Sequence, residues 1–264
     1  MRRLARTLGA LMIVAGLGTL GWAALVWQWQ DPFTAAYTHY QQGKLESRYE
    51  DVFIRFRPAA PPADGPVNVK RKDGKDGKGP SDPKGRTDSG PSPAAQARWV
   101  AREAKRYRST LTEGQAFAQI KVPGLGVNLI AVNGTQTNTL KKGPARYAGP
   151  LPSYVPGEGE LVYIAGHRTT YGAPFARIDR LRPGDTATMR LPYATFEYEI
   201  TRHVIVDASD LSVLRSPGRE LLALQACHPR FFASQRYIAY AKLVRVTPRQ
   251  GRAYTVDGTR LARA

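Results

Sequence analysis

The chain has 264 residues, of which 42% are apolar and 23% charged, which supports a buried core and excludes a wholly disordered chain. Lys and Arg outnumber Asp and Glu by 39 to 21, and the resulting formal charge of +18 favours anionic polymers or membrane surfaces. No zinc-finger spacing, basic zipper or RNA-binding aromatic signature accompanies that charge, so no nucleic-acid partner is expected.

Residues 1–7 carry Arg2, Arg3 and Arg6, and residues 8–27, "LGALMIVAGLGTLGWAALVW", carry no charge. A helix of about 20 residues at about 1.5 Å each covers the ~30 Å hydrocarbon core, so a single transmembrane signal-anchor is predicted here. The first basic residue beyond it is Lys44, which places the N-terminus in the cytoplasm and the rest of the chain outside the plasma membrane. Trp22, Trp27 and Trp29 cluster near the far end, where indole rings favour the interface. A cleaved signal peptide is the competing reading, with only Thr34-Ala35-Ala36 resembling a cleavage site; either way the remainder is exported.

Across 28–57, Phe33, Tyr37, Tyr40, Leu45, Tyr49, Val52, Phe53 and Phe56 recur at nearly helical spacing, which predicts a juxtamembrane amphipathic helix packed on lipid or on the domain. Residues 58–93 are rich in Pro, Gly, Lys and Asp and read as a disordered linker. A flexible chain of that length spans roughly 30–36 Å, room for a tethered domain to search above the bilayer. A folded domain is expected over 94–248, followed by a tail over 249–264. Ser92 and Pro93 open one helix, and from Phe117 onward short strand-like runs are punctuated by Gly, Pro and Asn. Many short strands with few helices predict a mainly β fold, a closed or nearly closed barrel.

One cysteine, Cys227, stands in this exported region and has no partner for an internal disulfide. It is either buried and inert or kept for its reactivity. A nucleophilic thiol needs a nearby base and donors for an oxyanion. Of four histidines, His39 lies in the juxtamembrane run and His203 within a strand pattern. His228 adjoins Cys227, yet consecutive strand residues face opposite ways. His167 follows the apolar strand "ELVYIAG" and sits where a loop histidine can face a groove. Arg236 opens the last strand after a turn through "HPRFFASQ" and could return beside the thiol; Arg230 is its nearest rival. No GxSxG, HExxH, P-loop or Rossmann fingerprint is present, no acidic cluster suggests a metal site, and no cofactor is expected.

Two stretches, "YIAGHRTTYGAPFARIDRLRPGD" at 163–185 and "LALQACHPRFFASQRYIAYAKL" at 222–243, resemble the sortases, and specifically the class E sortases of high-GC Gram-positive bacteria. "LKKGPARY" at 140–147 is similar to a further family segment. The residues before the cysteine are Ala223, Leu224, Gln225 and Ala226, where sortases carry Thr-Leu-x-Thr, so both threonines are absent. The resemblance implies a closed eight-stranded sortase β-barrel and a cysteine transpeptidase. By position, it makes Cys227 the nucleophile, His167 the general acid/base and Arg236 the stabiliser of oxyanion and substrate. Ala226, Leu224, Thr169, Tyr171 and His228 fall where substrate contacts are implied. The implied substrates are secreted proteins with a Leu-Ala-x-Thr-Gly sorting signal, cut between Thr and Gly and passed to an amine of peptidoglycan or its lipid II precursor. A catalytically weak sortase-fold module that binds wall peptide or anionic polymer is the alternative, and a pilin-polymerising sortase a third reading.

Overall fold

The computed structural model describes residues 2–29, 32–62 and 91–256. Most of the linker expected over 58–93 and the last part of the C-terminal tail lie outside the described residues. Helix α1 (Arg2–Trp29) contains the apolar stretch, and its Arg2–Ala24 segment is long and apolar enough to cross a membrane, with no residue of its most apolar window buried. Helix α2 (Pro32–Arg55) follows, then α3 (Pro93–Arg108), whose start is capped by the Ser92 hydroxyl accepting from the Ala95 N–H with Pro93 in the first turn.

Beyond α3 the chain is built from strands: β1 (Ala116–Val122), β2 (Val127–Asn133), β3 (Ala145–Arg146), β4 (Leu161–Ala165), β5 (Thr186–Arg190), β6 (Ala194–Asp207), β7 (Leu221–His228), β8 (Gln235–Pro248) and β9 (Tyr254–Thr255), with the short helix α4 (Thr137–Leu140) after β2. The strand order is β6-β5-β1-β2-β3-β4-β7-β8, and β6 also pairs with β8, so eight strands close on themselves while β9 adds to the end of β8. The closed, mainly β architecture expected from the strand punctuation is therefore present. Two bulges in the β6–β8 ladder, at Glu197/Tyr198 and Ile200/Arg202, bend these long strands around the barrel. The bulge at Ile200 also switches which residues face in: Phe196, Tyr198 and Ile200 lie in the interior core, whereas Val204 and Val206 belong to an outer patch.

The juxtamembrane helix packs on the barrel. Leu45 and Tyr49 are buried against Ala116, Ile130 and Val132, each such side chain contributing about 2 kcal/mol of apolar burial. Polar contacts fix its register: Thr38 Oγ1 donates to the Lys141 carbonyl at 3.0 Å, Gln42 bonds both the N–H and the C=O of Ile130, and Tyr49 OH donates to Arg190 O at 2.6 Å. The linker's flanks are anchored as well, since Arg106 donates to Arg57 O and the Trp99 indole N–H reaches Ala59 O and Ala60 O. The described residues on both sides of the linker thus pack on one body, and α2 links that body to α1.

Candidate active site

Strands β7 and β8 form an antiparallel pair in which Cys227 lies directly opposite Arg236. Directly paired residues hold their Cβ atoms about 4.5–5.5 Å apart. On the other side of β7 runs β4, parallel to it, with Ala165 paired to Gln225. The Gly166 N–H continues that ladder by donating to Gln225 O at 2.9 Å, which brings His167 alongside Cys227. Glycine is needed at 166, because a Cβ there would come within 2.5 Å of the Phe175 ring.

Alternation decides which way the three side chains face. Val162 and Ile164 of β4, Leu222, Leu224 and Ala226 of β7, and Ala239 and Ala241 of β8 fill the barrel interior. Leu161, Tyr163, Leu221, Ala223, Ile238 and Tyr240 form a separate outer patch. Continuing the two-residue period puts His167, Cys227 and Arg236 on the outer side of three adjacent strands, at one end of the barrel. All three residues are half-buried. Arg236 Nη1 donates to the carbonyls of Ala233 and Gln235 at 2.7 and 2.9 Å, tying the β7–β8 loop back on itself.

The imidazole of His167 is held below its ordinary pKa, first by burial and second by the charge of Lys141, so it is neutral at neutral pH. Its Nε2 is buried without a hydrogen-bond partner among the described residues, and its ring lies 5.0 Å from that of Tyr171. A neutral imidazole with an unspent ring nitrogen, next to a thiol and a guanidinium, can accept a proton and pass it on.

The inner side of the same barrel mouth holds a group of residues that sequence reasoning missed. Arg168 is 4% exposed; its Nη1 donates to the Cys227 carbonyl at 3.3 Å and to His228 Nδ1 at 2.8 Å, and its Nη2 pairs with Asp179 at 3.1 Å. Arginine has only donors, so Nδ1 is the accepting nitrogen of His228. Tyr237, beneath the Arg168 guanidinium, reaches His203 Nδ1 at 3.0 Å. The signal was the arginine of "GHR", whose partners are Asp179 in a later 3-10 turn and two residues of β7. A third missed contributor is α2: Thr34 Oγ1 accepts from the Tyr171 N–H at 2.8 Å, and the Tyr37 ring lies 6.2 Å from the Tyr171 ring.

The expected substrate-contact positions divide. Thr169 and Tyr171 are half-buried on the loop after His167. His228 is half-buried on the inner side, engaged by Arg168, away from the thiol. Leu224 and Ala226 are fully buried in the interior core, so the expectation that their side chains touch substrate is corrected. The alternation that turns His228 away from Cys227 turns Leu224 and Ala226 away as well.

A sortase-domain family model matches residues 120–244, which run from β1 into β8. Among curated proteins, sortase D of Bacillus subtilis (strain 168) is 36% identical over 135 residues, 50% of this chain and 65% of that protein. Sortase SrtE1 of Streptomyces coelicolor is 30% identical over 159 residues, 55% of this chain and 45% of that protein. The chain thus spans less than two thirds of either relative. The crystal structure of sortase E1 from Streptomyces coelicolor with a tripeptide in the active site aligns with 53% of this chain and 94% of that one, at 28% identity and a TM-score of 0.49. Relatives of both the D and the E kind are thus similar to this chain, and the sortase-domain match takes in β4 and β7, beside which His167 and Cys227 stand.

Proposed function

We propose that this chain is a membrane-anchored cysteine transpeptidase of the class E type, with α1 as a single-pass anchor, its N-terminus in the cytoplasm and the barrel outside. The observation that carries the proposal is the placement of Cys227, Arg236 and His167 on the outer side of three adjacent strands. The Cys227 sulfur attacks the carbonyl between Thr and Gly of a Leu-Ala-x-Thr-Gly sorting signal, and its proton goes to His167. The oxyanion that forms meets the Arg236 guanidinium. Collapse breaks the C–N bond, His167 delivers the proton to the departing glycine amine, and a thioester remains on Cys227. An amine of peptidoglycan or its lipid-linked precursor then attacks the thioester, His167 takes the amine proton, and the sulfur leaves. Two acyl transfers replace one difficult amide exchange, and the secreted protein ends on the cell wall.

The full chain in detergent or vesicles, given a Leu-Ala-x-Thr-Gly peptide and an amine acceptor, should cleave the peptide and join the acyl fragment to the amine. The Cys227→Ala variant should lose both activities by at least about a thousandfold. Peptide bound equally by both forms and turned over by neither would favour the binding-module reading.

A further inference from the structure

We infer that the active-site end of the barrel lies against the bilayer, with the β7–β8 loop aromatics Phe231 and Phe232 set in the lipid interface. The inference rests on α1 spanning the membrane, but not on the chemistry assigned to Cys227. It begins from covalent reach: Trp29 and Pro32 are three peptide steps apart, so the end of α1 stands no more than about 11 Å from the start of α2. Two residues into α2, Thr34 is already hydrogen-bonded to the backbone of Tyr171, whose ring packs on His167. Farther back, the Trp22 ring of α1 lies 5.6 Å from Phe33. The catalytic mouth is therefore joined to the membrane helix by a short path.

The apolar surface of α2 divides accordingly. Its second half is spent on the barrel, with Leu45 and Tyr49 at 2% and 1% exposure, while Phe33, Tyr37 and Tyr40 at the α1 end are 75%, 42% and 59% exposed. At the same end of the barrel, the loop between Cys227 and Arg236 presents Phe231 and Phe232 at 46% and 80% exposure, beside the exposed Arg230. Phe231 holds a φ of 74°, a left-handed backbone that costs a bulky residue on the order of 1 kcal/mol or more. Adjacent exposed aromatics next to an arginine, at the barrel end that α2 joins to a membrane helix, match what an interface with anionic headgroups accepts. A mouth so placed meets ligands that are themselves held in the membrane.

The test uses the full chain reconstituted in vesicles of equal parts phosphatidylcholine and phosphatidylglycerol. A nitroxide is attached at Phe232→Cys, and separately at Leu17→Cys and Arg219→Cys, each in the Cys227→Ala background so that one thiol is labelled. Arg219 is exposed and precedes β7, about 25 Å from the site along that strand. The expected result is that labels at 17 and 232 collide more often with oxygen than with a water-soluble nickel chelate, and that the label at 219 shows the reverse. A lipid-buried label at 17 with 232 as aqueous as 219 overturns the inference and leaves the aromatic pair to a protein partner. An aqueous label at 17 overturns the anchor and the inference together.

Discussion

Glu220, just before β7, and Cys227, near its end, are joined by one strand and occupy opposite kinds of surroundings. Glu220 is buried with the N–H groups of Gly157 and Gly159 and the Tyr198 hydroxyl all donating to its carboxylate, at 2.8–2.9 Å. Nearby, Tyr193 OH donates to the Pro156 carbonyl at 2.5 Å. At the other mouth, His167 Nε2, Arg168 Nε and His203 Nε2 are buried without partners among the described residues. Buried polar atoms are normally paired, and those left over concentrate where a protein must engage something else. The Glu220 carboxylate is satisfied by its own donors, although Tyr254 OH, near enough to feel its charge, and Gln96 Oε1 also lack partners; three of the five such atoms among the described residues lie at the Cys227 end.

The largest effect that would break this comparison is at His167. His167→Ala should lower peptide cleavage by about a hundred- to ten-thousandfold while leaving the thermal midpoint nearly unchanged, read by kcat/KM and calorimetry together. A large loss of stability with modest loss of rate would make His167 a structural residue like Glu220.

Arg168 sharpens the contrast, because it is the one strongly buried cation at the reactive end. Arg168→Met should destabilise the fold by about 2–4 kcal/mol in urea unfolding, since it strips the Cys227 carbonyl and His228 of their donor and leaves Asp179 unpaired. Arg168→Lys, which keeps the charge and loses the fork, should recover only part of that loss.

The smallest effect is a difference in pH dependence. Burial pushes the Glu220 carboxyl up to about 7, against the pull of its three donors. Its folded pKa stands above the unfolded one, so the stability it lends is whole in acid and is lost as pH rises from about 4.5 to about 7. His167 has the opposite sign. Its pKa is lowered on folding, so its contribution is present above about 6.5 and lost as pH falls below it. Glu220→Gln should flatten the first slope and cost about 1–3 kcal/mol, because the amide nitrogen faces a donor; His167→Gln should flatten only the second. Unfolding curves collected across pH for the two variants check both signs.

The barrel was legible in the sequence because its strands are short, apolar and separated by turn residues, and the site because only one cysteine and one strand-end histidine fitted the chemistry. Arg236 could be placed since a hairpin returns the chain beside Cys227. The β4–β7 pairing is parallel and distant along the chain, so the Arg168 group, which needs β4, β7 and the turn at Asp179 together, left no local pattern. The docking of α2 was half legible. Its period announced a helix, but which of its aromatics meet protein depends on the β1 and β2 surface. Leu224 and Ala226 were misplaced by analogy of position where alternation alone would have turned them inward.

The central claim is that Cys227 forms an acyl bond to the cleaved signal. Intact-mass measurement of the full chain, mixed with a Leu-Ala-x-Thr-Gly peptide and no amine, tests it most directly. A mass gain equal to the peptide up to and including Thr less one water, mapped to Cys227, absent in Cys227→Ala and removed by an added amine, is the expected result. Cleaved peptide released with Cys227 unmodified at every time point, or an adduct on any other residue, would contradict the account.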